Sequence, residues 1–97
     1  MAYTENQLAQ LRVDLGLMSV TYEQTAFLGN LLNTAAQRLA EDGITLDPSN
    51  AEHDTLIVMY AAWLYRKRAQ DPDKQAMPQM LRLLRNSVLF GQKARVT

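Results

Sequence analysis

Leu56 to Tyr65 reads LIVMYAAWLY, ten apolar residues in succession. The run is about half the ~20 residues a helix needs to cross a bilayer, so protein rather than lipid has to cover it. Wound as a helix, it sets Leu56, Met59, Tyr60, Trp63 and Leu64 on one face and Ile57, Ala61 and Tyr65 on others. Such a helix is surrounded by neighbours on most sides, and the rest of the chain has to supply them. Ser49-Asn50-Ala51-Glu52 has capping-box spacing and opens this helix; the polar stretch RKRAQDPDKQ follows it, with Pro72 ending any helix before it.

The neighbours are legible as three further helices. Thr4-Glu5-Asn6-Gln7 is a capping box, a hydroxyl for the N–H three residues on and an amide to reach back. Leu8, Leu11 and Leu15 follow at helical spacing, and Gly16 ends a short first helix. Thr21-Tyr22-Glu23-Gln24 repeats the box before a stripe of Leu28, Leu31, Leu32, Ala35 and Leu39, flanked by Phe27 and Ala36. This second helix should stop near Asp42-Gly43, where glycine suits a left-handed cap. In the linker, Ile44-Thr45-Leu46 has enough β-propensity for a brief strand, and Pro48 bars helix continuation. A last helix opens at Met77-Pro78 with Met77, Met80, Leu81, Leu84 and Val88 on one stripe. Leu83, Leu89 and Phe90 lie off that stripe and leave a second apolar edge to be covered.

These segments predict an all-α fold, a small bundle of three principal helices plus a short N-terminal one. Its 97 residues make a single domain, with a short flexible tail at about 92–97. A composition 47% apolar and 21% charged fits a folded domain, not a disordered tail. A domain of this size buries only ~65% of its unfolded surface, so an assembly partner can supply much of its stability. The N-terminal MAYTENQLAQL lacks the basic and apolar regions of a signal peptide and reads as mature protein. There is no internal repeat.

Catalysis finds no foothold. The chain has no cysteine, which removes disulfides, thiolate metal sites and thiol nucleophiles together and is compatible with a reducing compartment. His53 is the lone histidine; positions 49 and 57, where a helical metal site would place a second ligand, are Ser and Ile. It reads as a solvated residue at a helix start. Asp71 and Asp73 flank Pro72 in a turn without an apolar wall to raise a carboxyl pKa. The glycines, at 16, 29, 43 and 91, form no phosphate loop. Trp63, Tyr60 and Tyr65 read as core rather than a ligand cage. The expectation is a protein that is no enzyme and needs no cofactor or metal.

Charge carries more signal. Residues 1–54 hold two arginines against eight acids, a net of −6, and residues 55–97 hold eight basic residues against two acids, a net of +6. If the halves form different faces, the molecule is a dipole suited to head-to-tail contact between copies or to a basic face turned toward a polyanion; otherwise both sets are interleaved, solvated helix faces. Arg66, Lys67 and Arg68 end the third helix, where cations complement the helix dipole. Arg82 and Arg85 should share the exposed side of the last helix, and Lys93 and Arg95 extend the charge into the tail. The set could follow a phosphate backbone, but no side-chain pattern for reading bases accompanies it.

Three stretches in order, QLRVDLGL near the N-terminus, VMYAAWLYRKR from Val58 to Arg68 and MPQMLRLLRNSVLFGQK from Met77 to Lys93, resemble the small head-tail connector (adaptor, head completion) proteins of tailed bacteriophages. The resemblance implies a structural virion protein with a helical fold, made in the host cytoplasm and placed at the head-tail interface. It implies a homo-oligomeric ring, commonly twelvefold, beneath the portal protein, extending the DNA channel and offering a platform for the next connector or tail-completion protein. Arg66, Lys67, Arg68, Arg82 and Arg85 would then serve subunit contacts or the channel wall, in nonspecific contact with genomic DNA. The tail, Gln92, Lys93, Ala94, Arg95, Val96 and Thr97, would dock to the portal, though it is too short for a long clasping arm. No membrane partner is implied. The alternative from another class is a small DNA-binding regulator or DNA-packaging accessory using the same basic face.

Overall fold

The computed structural model describes residues 3–47, 49–68 and 76–96, with side chains described as far as Gln92. Four helices follow in order: α1 (Glu5–Leu15), α2 (Tyr22–Glu41), α3 (Ala51–Lys67) and α4 (Gln79–Val96). No strand occurs among the described residues, and none of their helices is long and apolar enough to cross a membrane. Pro48 and the acids Asp71 and Asp73 lie outside the described residues, as does the turn drawn around Pro72.

The first two helices begin where their capping boxes predict. Thr4 Oγ1 accepts the Gln7 N–H while Gln7 Oε1 accepts the Thr4 N–H, and Thr21 and Gln24 repeat the exchange. Both helices end at a left-handed glycine, Gly16 at φ 72° and Gly43 at φ 101°. Each glycine N–H and the N–H after it reach back to carbonyls of the last turn, so the closing groups bond internally. The N–H of Ile44 is one of these, bonded to Leu39 O, and this turns the Ile44 side chain into the core beside buried Leu39.

The third cap falls one residue later than its spacing predicts. Asn50, not Ser49, is the cap, its Oδ1 accepting the N–H groups of Glu52 and His53. Ser49 is drawn back instead, its N–H and hydroxyl both donating to Asp47 Oδ1 at 2.9 and 2.7 Å. Asn caps as well as Ser does, so the competing turn decides which residue takes the position. Those bonds from Ser49, backbone first, hold the Asp47 carboxyl below its ordinary value.

His53 is buried, contrary to the solvated role its neighbours Glu52 and Asp54 suggest. Its Nδ1 accepts the Asp47 N–H at 2.9 Å, folding the linker over the start of α3. An imidazole in this place satisfies a backbone donor that the linker has no other way to pair.

Helix α3 is the hub, packed against α1, α2 and α4. Gln7 meets Asp54 near the starts of α1 and α3 and Asp14 meets Arg66 near their ends, so these two run in the same direction. Phe27, early in α2, packs on Tyr65, late in α3, so α2 runs oppositely. Helix α4 returns alongside α3, from Leu81 near Trp63 to Gln92 at the linker. Leu56, Ile57, Val58, Tyr60, Ala61, Ala62 and Leu64 are buried, and Leu11, Leu28, Leu32, Ala35, Leu39, Leu81 and Val88 close on them. Met59, Trp63 and Tyr65 remain half-buried.

The Ile44-Thr45-Leu46 segment pairs in an unexpected way. Gln92 Oε1 accepts the Thr45 N–H at 2.8 Å and Gln92 Nε2 donates to the Thr45 carbonyl at 2.7 Å. One side-chain amide thus takes the place of a partner strand. This is possible because α4 continues through Gly91, past the end of the apolar periodicity, and carries Gln92 to the linker.

Candidate functional site

The basic residues singled out by the sequence divide into two groups. At the end of α3, Arg66 Nη2 donates to the Asp14 carbonyl at 2.9 Å and lies 3.4 Å from Asp14 Oδ2. Lys67 Nζ stands 4.5 Å from the centre of the Trp63 ring. The Arg68 guanidinium lies 4.3 Å from the Tyr65 ring centre and 5.6 Å from that of Phe27. Phe27 and Tyr65 pack at 6.2 Å, and Tyr60 and Trp63 meet edge to face at 5.3 Å. Two of the three cations, Lys67 and Arg68, therefore lie over aromatic rings, and Arg66 is held by Asp14.

On α4, Arg82 is exposed with no ion pair among the described residues. Arg85 is not on the same free side: it is half-buried, its Nη1 3.7 Å from Asp42 Oδ2 at the end of α2. Gln92 is committed to Thr45; the side chains of Lys93, Ala94, Arg95 and Val96, and all of Thr97, lie outside the described residues.

Asp14 and Asp42 are the partners the sequence reading missed. Both sit at the carboxyl end of a helix, against the negative end of its dipole, where a carboxylate is unfavourable alone. Each is answered by an arginine from another helix. An acid in the last turn is thus the signal that could have pointed to Arg66 and Arg85 as its counter-charges.

The faces that remain open are apolar. Met80 is 71% exposed, Leu83 53% and Phe90 61%, so the last helix leaves three large apolar side chains in solvent. Met80 departs from the stripe assigned to it: α4 packs on α3 along a seam centred on Leu81 and Val88, too narrow to reach one residue to the side. On α1 and just after it, Val13 is 82% exposed and Met18 93%. Val13 stands between two depressions, a groove of about 440 Å³ shared by α1 and α3 and another of about 470 Å³ reaching Met18. Ala9, Val58 and Met59 form the apolar floor of the first.

For chemistry, the described residues hold no group of three His, Asp or Glu side chains that could bind a metal. His53 Nδ1 is already used by Asp47. What the arrangement can do is bind surfaces: exposed apolar side chains at two edges, acids concentrated toward the first half and bases toward the second. Comparison of the chain with protein-family models, with curated proteins and with solved structures finds no match in any of the three.

Proposed function

We propose that this chain is a structural connector of a tailed-phage virion, not an enzyme, which assembles as a ring beneath the portal, extends the DNA channel and joins head to tail. The reading adds no cofactor, and places the protein in the host cytoplasm during assembly and at the head-tail interface afterwards. One observation carries it: α4 presents Met80, Leu83 and Phe90 to solvent on a helix that has basic residues and no acid, in a chain whose first half is acidic. Uncovered apolar area beside charge of one sign, with the opposite sign elsewhere on the same molecule, is what repeated contact between copies uses. The sequence resemblance to head-tail connectors supplies the setting.

A DNA-binding regulator is less well supported, because Arg66, Lys67, Arg68 and Arg85 are engaged with Asp14, Trp63, Tyr65 and Asp42. Among the described residues, these cations therefore do not form a continuous track of free charge along one face. The test is electron microscopy of the purified protein alone and mixed with portal protein, alongside duplex binding over a salt series. Rings stacked on the portal are the expected result. A monomer in every mixture, with duplex affinity falling steeply as salt rises, would replace the connector with the regulator.

A further inference from the structure

We infer that Met80, Leu83 and Phe90 of one copy seat in the groove between α1 and α3 of a second copy, joining the two head to tail through different surfaces. The inference rests on the reading that copies of this chain assemble, and it names the two faces that meet.

The first argument is shape. Met80 and Leu83 are one turn apart and Phe90 stands two turns beyond Leu83, so the three form a ridge on one side of α4, ~15 Å long at 1.5 Å per residue. Ridges of side chains pack into grooves between others, and the α1–α3 groove offers an apolar floor of Ala9, Val58 and Met59 with Val13 on its border. Neither surface is covered by the described residues, and Val13 and Phe90 are both exposed.

Charge selects this pairing over the alternative in which two copies of α4 pack back to back. From Gln79 to Val96 the helix has four basic residues and no acid, so self-pairing would bring like charges together. Acids lie beside the groove instead: Glu5 one turn before Ala9 on α1 and Glu52 one turn before Thr55 on α3, while Asp14 on the rim is already paired with Arg66. Exposed Arg82, at the edge of the α4 ridge, then approaches a surface of opposite sign. Two unlike surfaces joined this way leave one of each unused on every pair, so association continues into a closed ring or an open chain.

The test uses two variants that each lose one surface, Val13→Asp in the groove and Leu83→Asp on the ridge, with Ala9→Asp and Phe90→Asp as a second pair. Circular dichroism should show all four folded, since all four side chains are solvent-exposed. By analytical ultracentrifugation the wild type should form species larger than a dimer as concentration rises. Each variant alone should associate at least about tenfold more weakly, as interface truncations at a buried contact do. An equal mixture of Val13→Asp and Leu83→Asp should form heterodimers and nothing larger, because only one working contact remains. Overturning results are a mixture that stays monomeric while the wild type associates, variants that assemble like the wild type, or a wild type that never associates. Heterodimers without rings on the portal would uphold the pairing and defeat the connector; portal-bound rings whose subunits fail the mixing test would do the reverse.

Discussion

The side chain of Gln7 joins two helices at their starts: Oε1 accepts the Thr4 N–H at 3.0 Å, closing the cap of α1, while Nε2 donates to Asp54 Oδ1 at 2.7 Å in the first turn of α3. Gln7 is nearly inaccessible, so both halves of its amide are satisfied by protein. Replacing it with Ala removes the reciprocal cap bond and leaves Asp54 without this donor. A loss of about 2–5 kcal/mol is expected in urea unfolding, the sum of about 0.5–2 for a cap and about 1.5–3 for a hydrogen bond to a charged group. Gln7→Glu keeps an acceptor for Thr4 but sets a carboxylate against Asp54, and should be at least as damaging at neutral pH.

His53 is tested by separating volume from hydrogen bonding. His53→Phe fills the buried site but offers no acceptor to the Asp47 N–H, which His53 Nδ1 now takes at 2.9 Å. An unsatisfied backbone donor costs about 1–3 kcal/mol, so the Phe variant should melt earlier despite its greater hydrophobicity. The Asp47 amide should also exchange with deuterium much faster. Unchanged exchange at that amide would show the linker held by other means.

Asp47 makes a statement about acid stability. Its carboxyl is held below the ordinary value of 3.8 by the hydrogen bonds from Ser49, backbone before hydroxyl. A carboxyl lowered in the folded state stabilises the fold above its unfolded pKa and loses that contribution as pH falls through the folded one. The gap in stability between wild type and Asp47→Ala should therefore be constant from pH 7 to about 5 and close below about pH 4. Chemical denaturation at a series of pH values measures it; a gap that widens in acid would reverse the assignment.

What was legible in the sequence follows the range of the interaction. Helix limits set by neighbours in the chain, at Thr4, Gly16, Thr21 and Gly43, stand where local spacing puts them, and so does the burial of most of the Leu56 to Tyr65 run, of which Met59, Trp63 and Tyr65 are only half-buried. The cap at Asn50 escaped because Asp47 draws Ser49 back and leaves the cap to Asn50, which spacing alone does not show. Long-range pairings escaped altogether. Gln92 on Thr45 and Arg66 on Asp14 join residues 47 and 52 positions apart, and nothing in the residue types of either pair names the other. Met80 shows the limit of periodicity: a stripe says which side chains can face a core, whereas the number of packed neighbours decides how many do.

Arg82 and Arg85, equivalent by sequence, should separate on mutation. Arg85 lies 3.7 Å from Asp42 with its side chain 27% exposed, whereas Arg82 is exposed and unpaired among the described residues. Arg85→Glu places two carboxylates together at the end of α2, where the dipole already disfavours one. A loss of about 1 kcal/mol, seen as a melting point several degrees lower, is expected for a partly exposed pair turned repulsive. Arg82→Glu should leave melting within about a degree, because an exposed unpaired charge contributes little to folding. Its effect belongs to association, which should weaken if α4 meets the acidic groove of another copy. Asp42→Arg combined with Arg85→Glu should recover much of the stability lost in Arg85→Glu alone, since the swap restores opposite charges at the same distance and gives the end of α2 the favourable sign. Failure of that double variant to recover would show that Arg85 stabilises through its packed stem and not through its charge.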